Sequence, residues 1–167
     1  MANVLQPIGT DASGYEVLTA AIQELLNQYP GLPQGERIKF EELEKDKGIA
    51  FSAAMIYEEN EDVIGNIFQT CQFPFYVVYR TASDRERRKL SAQSFLDGLG
   101  KWLCREKVVL NDKEYRLTEY PKLSQERKIT RIVRENAYGL EPQENGVQDW
   151  VLPVSVRYSN EILEPDA

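Results

Sequence analysis

No histidine occurs anywhere in these 167 residues. The usual general base and commonest metal ligand is therefore missing, which excludes Ser-His-Asp triads, Cys-His pairs and zinc–histidine sites in their ordinary forms. Cysteine is nearly as scarce. Cys71 and Cys104 permit at most one disulfide and cannot build a four-thiolate zinc site. As free thiols acting as small buried hydrophobes, they suit a reducing cytoplasm. Long apolar runs are absent too: the longest, IAFSAAMIY at 49–57, is far short of a bilayer span. The leading MANVLQPIGTDASG has neither the basic nor the apolar region of a secretory leader. Neither export nor membrane contact is expected.

Positive charge is in deficit, with 20 Lys and Arg against 27 Asp and Glu and a formal net charge of −7. That balance disfavours a tight, sequence-independent grip on phosphate backbones. Acidic residues are dense at 41–46 and 58–62, and a glycosidase-style carboxylate pair needs no histidine. Runs of this kind are far more often solvated surface. The tetrapeptide GLGK at 98–101 is not a phosphate loop, because Phe95 stands where the pattern needs Gly and Trp102 where it needs Ser or Thr. Gly98 and Gly100 instead suit close packing of a helix, at about 1 kcal/mol each in helix propensity. No catalytic residue, metal site or cofactor is assigned, and an enzyme is not expected.

What is there is a chain of 42% hydrophobic and 28% charged residues, enough for one core and too short for two comfortable ones. A single domain over 1–167 is expected, with 1–12 and 160–167 as frayed termini. SGYEVLTAAIQELLNQYPGLP predicts a helix: Ser13 and Glu16 have capping-box spacing, Leu18, Ile22, Leu25 and Tyr29 share a face, and Pro30–Gly31 stop it. The charge-rich ERIKFEELEKDKG is a short strand or an irregular arm around Ile38 and Phe40. Beyond Gly48, Ile49, Phe51, Ala53, Met55 and Tyr57 alternate as one side of a strand. After the acidic turn at 58–62 the chain returns as one long strand or two shorter ones broken near Pro74, with a meander as the simplest geometry.

In FPFYVVYR, Phe73, Phe75, Val77 and Tyr79 face one way and Tyr76 and Val78 the other, so both faces are apolar and both need cover. Ser83 and Glu86 then mark a second helix, in which Phe95, Leu96, Leu99, Trp102 and Leu103 form a core-facing stripe. Burying its Phe and three Leu contributes roughly 6 to 12 kcal/mol before entropy is subtracted. Residues 107–125 read as a connector with one short strand. RKITRIVRENAYGL and QDWVLPVSVRYS read as strands joined by EPQENG; in the latter Trp150, Leu152, Val154, Val156 and Tyr158 alternate, and Pro153 favours an edge or bulge. The fold class expected is α+β, a mostly antiparallel sheet with two principal helices on one face. Two helices cover only one side, and a neighbouring subunit would cover the other.

RERRK at 85–89 puts positive charge at a helix start, where the macrodipole opposes it. It is either a solvated face beside Asp84 and Glu86 or a basic patch that meets an acidic surface on another subunit or a tube partner. Phe73, Phe75, Tyr76, Val78, Arg85, Arg87 and Arg88 are therefore the candidate subunit or tube interface.

The helix ended by YPGLP, the phrase GIAFSAAMIYEENEDVIGNIFQTCQFPFYVVYR and the following SAQSFLDGLGKWL resemble the minor capsid or tail terminator proteins of phages and prophages of Gram-positive bacteria. Gly65 to Leu103 carries most of the match, and the element order extends it over Tyr15 to Tyr158. The resemblance implies a structural virion protein, commonly a six-membered ring, that caps the tail tube and offers the joint to the head. Its implied partners are further copies of itself, the tail tube protein and the head–tail connector protein, and its place is the virion tail or neck after assembly in the bacterial host cytoplasm. DNA would be met only in passing through the lumen, and six copies at −7 each would keep that lumen acidic and non-adhesive. The alternatives are another neck protein, a cytoplasmic adaptor that binds through the aromatic strand, and a carboxylate enzyme.

Overall fold

The computed structural model describes residues 12–45, 47–53, 57–59, 67–82, 86–123 and 127–162. Helix α1 spans Ala12–Asn27, and on it Leu18, Ile22, Leu25 and Leu26 are wholly or almost wholly buried, with Tyr29 just beyond its end. Ser13 is thus the second helical residue rather than the cap. Asn27 ends the helix by joining it to the next element. Its Nδ2 donates to the Gln23 and Ile38 carbonyls at 2.8 and 2.9 Å, and its Oδ1 accepts the Ile38 N–H at 2.7 Å. The segment left open between strand and arm is therefore a strand, β1 (Ile38–Phe40).

Strand β2 (Gly48–Ala53) lies parallel to β1, and both β2 and β3 (Tyr57–Glu59) run antiparallel to β4 (Ile67–Thr81). The meander is not formed: β2 and β3 follow one another along the same edge of β4. Met55 and residues 60–62 of the acidic turn lie outside the described residues, whereas Glu58 and Glu59 belong to β3. Strand β4 is one continuous strand of 15 residues that passes through Pro74. Pro74 sits where β2 has ended, at Phe75, and β3 has not yet begun, at Gln72. A missing N–H costs little at such an interval.

Helix α2 (Glu86–Leu103) buries Leu96, Leu99 and Leu103 completely, with Phe95 and Trp102 nearly so. Ser83, its expected cap, lies outside the described residues. Tyr29 links the two helices, its ring centroid 5.7 Å from Phe95 and 5.5 Å from Trp102. The connector folds as a hairpin of β5 (Val108–Leu110) and β6 (Lys113–Tyr115). Its two-residue turn holds Asn111 and Asp112 at φ 51° and 65°, the left-handed pair that matches strand twist.

Strands β7 (Arg127–Arg134) and β8 (Tyr138–Gly139) both pair with β9 (Gln148–Ile162), after a turn in which Gly146 takes φ 85°. The main sheet order is β1-β2-β4-β9-β7. Strand β9 is thus interior, so of the edge or bulge expected for Pro153 the edge is not formed, while the register shifts by one residue between Arg134↔Val154 and Tyr138↔Val151, opposite the proline. This proline also falls in an interval, between the β7 partner Val154 and the β8 partner Val151. The tail expected to fray from 160 continues β9 to Ile162, opposite Ile67.

The α+β fold class is as expected. Phe51, Phe73, Phe75, Val77, Leu152, Val154, Val156 and Tyr158 form one sheet face and join the buried residues of both helices in a single core. Gly100 lets α2 approach that face, since a Cβ there would run into Arg134 and touch Leu152 at 3.4 Å.

Candidate assembly surface

Alternation along β4 and β9 sends the odd partners outward. Tyr76 stands opposite Pro153 and Val78 opposite Val151, and directly opposed residues in an antiparallel pair share a face. Tyr138 on β8 is opposite Val151 from the other side. The outer face therefore carries Tyr76, Val78, Val151, Pro153 and Tyr138 together, and Tyr76 and Tyr138 remain 44% and 46% exposed. A cavity of about 260 Å³ opens beside them, lined by Pro74, Tyr76, Val133, Pro153 and Ser155 among others. The hollow lies where β7 ends, between Val133–Glu135 and the Pro74–Tyr76 and Pro153–Ser155 stretches.

One end of the face is fixed by charge. Arg80 and Asp149 are cross-strand partners, with Arg80 Nε donating to Asp149 Oδ1 at 2.7 Å and Nη2 to Oδ2 at 2.8 Å. The hydrogen bond to Asp149 raises the Arg80 pKa further above its ordinary value. Arg80 Nη1 also donates to the Glu44 carbonyl at 3.1 Å, tying the β1–β2 connection over this end of the sheet.

Of the residues expected at the interface, Tyr76 is exposed and Val78 half-buried on this outer face. Phe73 and Phe75 are placed elsewhere: they are 0% and 1% exposed in the chain's own core and offer no surface to a partner. Period-two alternation showed which side chains share a face, but not which face receives the helices. Arg85 lies outside the described residues; Arg87 and Arg88 lie in the first turn of α2, and their side chains are not described. The face gains Pro153 and Tyr138, which sequence reading missed. The signal for Pro153 was the off-face series Val151, Pro153, Ser155 in β9; Tyr138 had none, because only its pairing with Val151 puts it on this face.

The resolved pKa shifts are all upward. Burial pushes the Tyr29 phenol up to about 12, and burial also raises the Cys104 thiol and the Tyr120 phenol. Tyr120 Oη donates to the Leu103 carbonyl at 2.8 Å, a structural role at the end of α2. Among the described residues no three Cys, Asp or Glu side chains gather as a metal site, and no helix is long and apolar enough to cross a membrane. What the outer face can do is bury aromatic and aliphatic surface against another molecule.

No protein-family model matches the chain, and no curated protein matches it either. Among solved structures, it is similar to a chain from the virion of a native gene transfer agent particle. That likeness covers 87% of this chain and 91% of the other, at 12% identity and a TM-score of 0.45.

Proposed function

We propose that this chain is a structural virion-assembly protein, not an enzyme, that caps a phage-type tail tube and provides the head–tail joint as a six-membered ring. The observation that carries the reading is the two-sided use of β4. One face joins both helices in the core, while the other presents Tyr76 and Val78 with Pro153 and Tyr138, and a hollow lies beside Tyr76 and Pro153. The succession from Gly65 to Leu103 that resembles tail terminators spans β4 and α2, the elements that build this arrangement. The partners are further copies, the tail tube protein and the connector protein; the location is the virion neck, reached by assembly in the host cytoplasm. DNA passes through the acidic ring without being held.

Light scattering after size exclusion tests the ring, with a mass near six times the 19.2 kDa of one copy expected. Binding to purified tail tube protein then tests the cap. Capture by connector but not by tube would make the chain a different neck component.

A further inference from the structure

The two edges of the main sheet carry opposite charge. Among the described residues from β1 through β2 and β3, Glu41, Glu42, Glu44, Glu58 and Glu59 stand against Lys39, Lys45 and Lys47. Among the described residues that lead into and form β7, Arg116, Lys122, Arg127, Lys128, Arg131 and Arg134 stand against Glu119. In the order β1-β2-β4-β9-β7, four strand spacings separate these edges, about 19 Å. That is roughly twice the screening length at physiological salt, so the two edges do not neutralise each other within one chain.

The basic edge is shaped as well as charged. An open depression of about 730 Å³ beside β7 is lined by Arg105, Arg116, Arg131 and Arg134, with Glu106 as its one acidic side chain. Arg105 is committed: it donates to the Thr118 carbonyl at 2.6 Å and lies over the Tyr120 ring at 5.8 Å. Arg134 reaches Glu106 at 3.5 Å. Arg116 and Arg131 are exposed and make no ion pair among the described residues. Two free guanidinium forks in one concave site are suited to bidentate carboxylates. On the far edge Glu41, Glu42 and Glu44 are exposed; among the described residues Glu42 pairs with Lys39 and Glu44 with Lys47, each at 3.7 Å, and Glu41 accepts from Ser52 Oγ at 3.3 Å.

We propose that the arginine-lined depression beside β7 of one copy receives the acidic β1–β3 edge of the next copy. The partner is a second copy because complementary charge stands on opposite edges of the same sheet. Such a contact is head-to-tail, the kind that closes into rings, and it leaves the outer face of Tyr76 and Tyr138 free for the tube. This rests on the ring proposed above and names the surfaces that form it.

The test compares the mass of the full chain with that of two double variants and of their combination. Arg116→Glu with Arg131→Glu, and separately Glu42→Lys with Glu44→Lys, each reduce the ring to the 19.2 kDa single copy. The chain that carries all four changes regains the ring, since the two edges are complementary again. Unchanged circular dichroism and melting temperature show that the variants fold. A wild-type ring whose mass survives either double reversal overturns this contact but leaves the ring. A wild-type chain that stays at one copy overturns both. A reversed chain that keeps its ring but loses affinity for a short DNA duplex assigns the arginines to phosphate and also overturns the proposal.

Discussion

Tyr29 shows how one side chain can set both packing and pH response. It is 3% exposed, wedged between Phe95 and Trp102, and its hydroxyl occupies the space a Cβ at Gly98 would need. Burial raises the phenol from 10.0 to about 12. The unfolded chain therefore loses this proton before the folded one does, and stability falls as pH rises through that window, by up to about 3 kcal/mol. Below pH 10 the contribution is fully present. Tyr29→Phe should flatten this part of the alkaline decline, read as urea midpoints at pH 8 and pH 11; equal decline in both proteins would refute it. Gly98→Ala should cost about 1 to 3 kcal/mol through overpacking, despite its gain in helix propensity. In the Tyr29→Phe background that cost should shrink, which a double-mutant cycle measures.

At the scale of elements, the helices and the long strands were legible because periodicity is local. Leu18, Ile22, Leu25, Leu96, Leu99 and Leu103 were placed on buried faces by spacing alone, and all are buried. What spacing could not reach are choices made by distant residues. The 36–48 segment stayed open because Asn27, 11 residues before Ile38, decides it by binding both backbone groups of Ile38. Pro153 pointed to an edge or a bulge because a proline breaks a ladder; it is tolerated inside the sheet because the β7 and β8 pairings flank it, with a one-residue shift between them. The candidate surface divides the same way: Tyr76 and Val78 follow from alternation, while Tyr138 joins them only through pairing with β9. Asn27→Ala should leave the Ile38 N–H and carbonyl without these partners and cost about 1 to 3 kcal/mol. Faster amide exchange at Ile38 than elsewhere in the main sheet would locate the loss, and unchanged exchange there would contradict the role given to Asn27.

For the whole molecule, the two faces of β4 make opposite predictions about stability and assembly. Phe75 is buried among Phe51 and Phe73, with ring centroids 5.8 and 6.3 Å away, so Phe75→Ala should cost about 3 to 5 kcal/mol and impair assembly only through folding. Tyr76 and Tyr138 point the other way and remain 44% and 46% exposed. Replacing both by Ser removes little that the isolated chain uses, and the melting temperature should stay within about 2 °C of wild type. Exposed aromatics at the centre of an interface carry much of its binding energy, on the order of 2 kcal/mol or more when removed. The double variant should therefore bind tail tube protein at least about 30-fold more weakly, while the proposed ring, whose contact is assigned to the charged edges, should keep its mass. Titration of tube protein against both chains separates the cases. A stable double variant that caps tubes like wild type would mean that the outer face is not the docking surface, whereas loss of ring and tube binding together would place Tyr76 and Tyr138 between copies.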